Sequence, residues 1–204
     1  GEDGRVEEDL PLDPNNGYIS PSLLGLTQGI SCPLDLDFSP YEGQLPNALG
    51  YAFVMGPIPW GDGGPIFNGD GAVIRLGLNN GQIQVKARRL LTPCALLDEA
   101  SKGTDFAYKN RALIRESSAF GVRNFLNTSP VPTFDGRLIA TYDAGRPWEI
   151  SPETLELTTP IGYLSQWKPM LPALTDAQRF NTQSMSTAHP AYDEYTREMF
   201  SVNY

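Results

Sequence analysis

His189 is the only histidine in this 204-residue chain, and imidazole is the side chain that most often binds metals or moves protons near neutral pH. It lies in the segment Ser186-Thr187-Ala188-His189-Pro190. Pro190 disfavours a helical conformation at His189, so we expect an extended backbone with the ring projecting from a sheet. No Gly-x-Ser-x-Gly nucleophile motif and no cysteine spacing typical of zinc sites accompany this histidine. Two interpretations therefore stay open: a metal ligand, and an ordinary histidine at a strand end with a hydrogen-bonded ring.

Four other motifs carry less chemical information. The glycine-rich stretch 61–64 precedes a strand pattern rather than a helix, so we do not expect it to bind phosphate. Gly69-Asp70-Gly71 is expected to begin a strand rather than bind a metal, because the ligand spacing of a calcium loop is absent. The carboxylate pair Asp98 and Glu99 is expected to lie on a solvated surface. We interpret Asn127-Thr128-Ser129, which fits the glycosylation sequence, as a chance match.

The composition excludes some functions and favours one fold class. Fifteen basic residues against 24 acidic ones give a net charge of −9, which disfavours nucleic acid as a partner. No apolar stretch is long enough to predict a transmembrane helix. Two cysteines cannot form a disulfide scaffold, so a reducing compartment, the cytoplasm, is expected. A 40% hydrophobic chain with 20 glycines and 18 prolines is typical of an ordered all-β protein.

The elements that must position the histidine follow a strand-and-turn pattern. Residues 1–40 are acidic and proline-containing and are expected to form an N-terminal arm, whereas residues 41–204 carry strands and tight turns. Asn80-Gly81 and Asp135-Gly136, each between apolar runs, predict two β-hairpins. The turns lie about 55 residues apart, which fits successive blades of a β-propeller, although sandwiches and barrels space their turns similarly.

Three further local patterns complete the prediction. A strand is expected to end at Gly56-Pro57, and another is expected around residues 148–150. Two short helices, within 98–118 and at 175–180, are expected as insertions between strands.

Seven segments of the chain carry a set of short motifs in a definite order. Among them are EGQLPNALG at 42–50, FNGDGAV at 67–73 and TAHP at 187–190. The others are 55–57, 88–92, 127–128 together with 136–142, and 150–156. Through these motifs the chain resembles the N-terminal part of the carotenoid cleavage oxygenase family over about four-fifths of its length, and TAHP resembles the segment that carries the first iron ligand of that family.

The resemblance implies a seven-bladed β-propeller, of which residues 41–204 would form roughly the first three blades with short helical insertions. It implies an Fe(II) ion held by four histidines, with His189 as one of them. Asp143 matches the position of an acid, usually glutamate, that orients a ligand ring. Because aspartate is one methylene shorter, it would act directly or through a water molecule, or else face solvent. A chain with one histidine would need the remainder of the propeller, from further sequence or a companion chain.

The implied activity is that of a dioxygenase that uses O2 to cleave a conjugated C=C bond of a carotenoid, apocarotenoid or stilbenoid into two carbonyl products. The resemblance also implies peripheral membrane contact through an apolar patch, for which the candidates are Leu23, Leu24, Leu26 and Ile30. Residues 163–185 are expected to be an insertion near the substrate mouth, and Arg197, in place of a turn glycine, is expected to avoid positive φ. The alternative function is a metal-free propeller that serves as a binding or scaffold protein.

Overall fold

The computed structural model describes residues 47–58, 65–111, 113–168 and 184–202, and most of their regular secondary structure is β-strand. The described strands form three antiparallel sheets and one further hairpin. Within the described ranges there is a single α-helix. The expectation of an all-β chain with short helical insertions is confirmed.

The first sheet has the order β1-β2-β3, with β1 at Leu49–Ile58, β2 at Asp70–Asn79 and β3 at Gln82–Arg89. Asn80 and Gly81 connect β2 to β3 with φ angles of 47° and 85°, so the predicted hairpin and its left-handed turn are both present. The expected end of β1 at Pro57 is wrong. Because β1 is paired on one side only, to β2, a proline there need not remove a ladder hydrogen bond, and pairing continues to Ile58.

The second sheet follows the helix and has the order β4-β5-β6, at Lys109–Arg111, Ile114–Ser117 and Gly121–Val122. Helix α1 spans Pro93–Ser101, so the prediction of a helix within 98–118 is wrong for most of its length. Thr92 accepts a hydrogen bond from the Ala95 amide at 3.1 Å, and Pro93 fits the first turn. These two residues start the helix before the range in which it was predicted.

The third sheet has the order β10-β9-β8-β7 and contains the second predicted hairpin. Its strands are β7 at Ser129–Pro132, β8 at Leu138–Thr141, β9 at Trp148–Ile150 and β10 at Leu157–Pro160. A final hairpin pairs β11 at Ala191–Asp193 with β12 at Glu198–Phe200.

A buried connector, residues 122–127, links the second sheet to the third and forms the centre of the described core. Phe125 and Leu126 are fully buried in the apolar cluster that also contains Val73 and Ile150. The Gly71 amide donates to the Phe125 carbonyl oxygen at 2.9 Å. A Cβ at position 71 would lie 1.9 Å from the Leu126 carbonyl oxygen, so only glycine allows this contact.

Buried charges tie this connector to its neighbours. Arg123, with no exposed surface, contacts Asp70 at 2.5 Å and Asp98 at 3.0 Å. Arg115 donates two further hydrogen bonds to Asp98, at 2.6 and 3.1 Å, and Arg89 donates to Asp70. The expectation that Asp98 is solvated is therefore wrong: helix α1 turns it inward toward two arginines. Asp70 begins a strand as predicted, and its carboxylate is held by guanidinium groups.

A basic clamp, formed by Arg75, Lys86 and Arg88, joins the first sheet to the third. These side chains donate to the carbonyl oxygens of residues 152–154, in the turn between β9 and β10, at 2.9–3.1 Å. Arg75 also lies over the ring of Tyr51, with its guanidinium carbon 4.5 Å from the ring centre. The clamp sets the relative position of the two sheets.

Several predictions fall on residues outside the described ranges. These are the N-terminal arm at 1–40, the apolar patch at Leu23, Leu24, Leu26 and Ile30, the glycine-rich stretch at 61–64 and the helix at 175–180. None of the helices in the described part of the chain is long and apolar enough to span a membrane.

Asp98→Asn is expected to lower the free energy of unfolding by about 3–5 kcal/mol, because it leaves Arg115 and Arg123 buried with less counter-charge. Arg123→Met is expected to cost less, since Asp70 and Asp98 would each keep one arginine partner. Urea denaturation measures both changes. Glu99→Gln, on the same helix but at an exposed position, is the control and should leave stability unchanged within error. Equal losses from Asp98→Asn and Glu99→Gln would contradict this account.

Candidate functional site

His189 lies between the buried Ala188 and strand β11, and its side chain is exposed. Among the residues that the structure describes, none makes a hydrogen bond to its ring. The ring is thus accessible for binding, and the hydrogen-bonded alternative finds no partner in the described residues. Its role as a metal ligand stays a prediction.

Asp143 lies directly beside the segment that carries His189. Its Oδ1 accepts a hydrogen bond from the Ala188 amide at 2.7 Å, and its carbonyl oxygen accepts one from the Ser186 amide at 2.8 Å. The structure therefore brings together the two residues that the resemblance selected, and Asp143 contacts the backbone one residue before the histidine. A direct or water-bridged contact with the ring stays a prediction.

Two residues that the sequence analysis missed, Thr141 and Ser186, also hold the segment that carries His189 against the stretch 141–145. The buried Ser186 hydroxyl lies 2.7 Å from the Tyr142 carbonyl oxygen and 2.9 Å from that of Gly145. The Thr141 hydroxyl donates to the Ala188 carbonyl oxygen. Burial, and then the nearby Asp143 carboxylate, raise the pKa of the Tyr142 hydroxyl, which keeps that side chain neutral. No sequence signal distinguishes these hydroxyls from solvated ones, since serine and threonine are common in loops.

The donor chemistry of this segment fits one ligand position of the implied iron site. An exposed imidazole supplies the nitrogen donor that iron accepts, and the Asp143 carboxylate lies close enough to support the segment that carries it. Within the described residues, no three histidine, cysteine, aspartate or glutamate side chains come together in a metal-binding arrangement. The described part of the chain therefore offers one donor, and a four-histidine site needs three more from elsewhere.

Two other sequence motifs prove to be structural. The Asn127 amide is buried and donates to the carbonyl oxygens of Phe67 and Gly69, both at 2.9 Å, so it holds the chain that leads into β2. A glycan on this nitrogen would break both contacts, which agrees with the interpretation as a chance match. Cys94 is a buried free thiol, and desolvation raises its pKa to about 11.

The expectation that Arg197 avoids positive φ is wrong, since its φ is 60°. Two contacts favour this conformation. Asp193 accepts hydrogen bonds from the amides of Tyr195 and Thr196 and so closes the turn between β11 and β12. The Arg197 guanidinium carbon lies 4.8 Å from the ring centre of Phe134, and this cation–π contact offsets part of the backbone strain.

Asp143→Ala is expected to increase hydrogen exchange at the Ala188 amide about tenfold, because that amide loses a charged acceptor. Asp143→Asn keeps an oxygen acceptor and should show a smaller increase. Nuclear magnetic resonance measures the rates residue by residue. Asp135→Ala, in the exposed turn between β7 and β8, is the control and should leave Ala188 unchanged. Unaltered exchange in Asp143→Ala would show that the contact does not hold this segment.

Comparison with known proteins gives consistent matches in sequence and in fold. The profile of the family described as RPE65, retinal pigment epithelial membrane protein, matches residues 31–204. Carotenoid cleavage oxygenase 1 of Neurospora crassa is 27% identical over 98% of this chain, and resveratrol cleavage oxygenase 1 of Aspergillus fumigatus is 29% identical over 85%. The crystal structure of Pseudomonas brassicacearum lignostilbene dioxygenase superimposes on 78% of the chain with a TM-score of 0.56 and 26% identity.

The match is to one portion of these proteins. The chain spans 36% of the Neurospora protein, 33% of the Aspergillus protein and 31% of the Pseudomonas structure, about a third in each case. The prediction of an incomplete β-propeller is confirmed, because the sheets described above superimpose on part of a propeller enzyme. On these matches, the chain belongs to the RPE65 family, which includes the carotenoid cleavage oxygenases.

Proposed function

We propose that this chain is part of a non-haem Fe(II) dioxygenase that cleaves a conjugated C=C bond of a carotenoid, apocarotenoid or stilbenoid. The single observation that carries the proposal is the accessible His189 ring, presented by a segment attached to Asp143, in a chain of this family. The names of its relatives, which include a carotenoid cleavage oxygenase and a resveratrol cleavage oxygenase, support the substrate class.

The overall reaction is balanced by one molecule of O2. The C=C double bond breaks, and each of its carbons gains one oxygen atom to become a carbonyl carbon. When bound, Fe(II) would supply the reactivity toward O2 that amino-acid side chains lack.

The residues of this chain would bind and position. His189 would supply one neutral nitrogen ligand, and Asp143 would hold the backbone before it. Since the chain has one histidine, the other three ligands would come from further sequence or from a companion chain. The remainder of the propeller would also cover the exposed face of the His189 ring.

The full-length protein is expected to bind one equivalent of iron, and His189→Ala is expected to reduce that to less than about one tenth, because an open ligand position weakens binding. Metal analysis after anaerobic loading measures the content. Tyr195→Ala, at a fully exposed position of the β11–β12 hairpin, is the matched control and should retain iron. An iron-free wild-type protein would instead favour the metal-free binding or scaffold protein.

Carotenoid, apocarotenoid and stilbenoid substrates are then incubated separately with the iron-loaded protein under 18O2. The expected products are two carbonyl compounds that both carry label, identified by mass spectrometry. Label in only one product would contradict dioxygenase chemistry, and intact substrates in all three incubations would contradict the activity.

A further inference from the structure

The peptide groups on both sides of Ala188 are held by the last residue of strand β8, Thr141, and by Asp143 in the turn that follows it. On the amino side, the Ala188 N–H donates to the Asp143 carboxylate at 2.7 Å. On the carboxyl side, the Ala188 carbonyl oxygen accepts from the Thr141 hydroxyl, which makes its shorter contact there and also lies 3.1 Å from the Ser129 carbonyl oxygen. Thr141 and Asp143 lie two residues apart, so one short stretch of backbone supplies both contacts.

The carboxyl-side contact acts on His189 directly. The Ala188 carbonyl and the His189 nitrogen belong to the same planar peptide unit, so a hydrogen bond to the oxygen also orients the nitrogen and the α-carbon of His189. On the other side, Pro190 restricts the backbone conformation of His189. With its backbone restrained from both sides, the imidazole keeps mainly its own side-chain rotations.

The buried environment stabilises the hydrogen bond between Thr141 and the Ala188 carbonyl oxygen. Thr141 has no exposed surface and Ala188 is 5% exposed, whereas the His189 side chain is exposed. A buried carbonyl oxygen that loses its donor is costly, because water cannot replace the hydrogen bond. Thr141 is itself fixed in the sheet, where it pairs with Ser129 of β7. The Thr141–Ala188 contact therefore fixes the backbone that carries the exposed His189 ring relative to the third sheet.

We propose that Thr141 is a positioning residue for metal binding, which acts through the Ala188–His189 peptide group. This proposal rests on the proposed role of His189 as an iron ligand. In this proposal, Thr141 itself contacts neither the metal nor the substrate. Asp143 holds the preceding peptide group, so the two side chains have separate roles in presenting the ring.

The test is the affinity of the full-length protein for Fe(II), measured anaerobically by competition with a chelator. Thr141→Val removes the hydroxyl at nearly constant volume and is expected to weaken binding about tenfold, the low end for residues that orient a metal ligand. Thr141→Ser restores the donor and is expected to return the affinity to within about twofold of wild type.

Ser117→Ala is the matched control. Ser117 is also buried, and its hydroxyl donates to the Phe106 carbonyl oxygen beside the second sheet, but it does not contact the His189 segment or the stretch 141–146. The control should lower the melting temperature as Thr141→Val does and leave the iron affinity unchanged. If both variants weaken binding equally, or if Thr141→Ser fails to restore it, the positioning role is overturned.

Two further results keep the outcome unambiguous. If Thr141→Val does not fold, Thr141→Cys replaces it, and its weaker donor should give a smaller loss that still exceeds that of Thr141→Ser. If the wild-type protein binds no iron, the proposed function fails and this inference fails with it. If wild type and Thr141→Val bind iron equally, only the positioning role fails.

Discussion

The described structure depends on a buried cluster of ion pairs in which Asp70 and Asp98 are the shared acceptors. The guanidinium group of Arg123 joins Asp70, at the start of β2, to Asp98, on α1, from within the connector between the second and third sheets. Three elements distant in sequence thereby meet at one residue without exposed surface. A buried charge of this kind is favourable only while its partners remain, so the sheets and the helix must keep their arrangement together.

The connector also links these ion pairs to the candidate site. After Arg123 it continues through Asn124, whose amide donates to the Arg146 carbonyl oxygen at 2.8 Å, in the turn after Asp143. Gly145 packs so closely on Asn124 that a Cβ there would lie 2.2 Å from its side chain. The stretch 141–146 is therefore held by the core through Asn124. The same stretch in turn holds the segment that ends at His189. An exposed ring is positioned in this way by a buried framework.

Local chemistry made part of this fold predictable. The two glycine turns follow from their need for positive φ, and the proline after His189 restricts the backbone there. Asp98 could not be placed, because a pair of adjacent carboxylates gives no sign of which one meets arginines from other elements. Arg197 adopts a positive φ, which its residue type disfavours, because its guanidinium group contacts Phe134, 63 positions away in the chain. The choice of His189 and Asp143 as candidate site residues followed from the family resemblance, whereas the contacts of Thr141 and Ser186 with the segment that carries His189 became visible only in the tertiary structure.

The basic clamp between the first and third sheets has a consequence for sequence divergence. Its acceptors at 152–154 are main-chain carbonyl oxygens, which every amino acid provides. Substitutions in that turn can therefore accumulate among homologues without loss of the contact, provided that the backbone keeps its course. The evolutionary constraint falls on Arg75, Lys86 and Arg88 alone. The turn at 152–154 should therefore vary among homologues, whereas these three cationic residues should be retained.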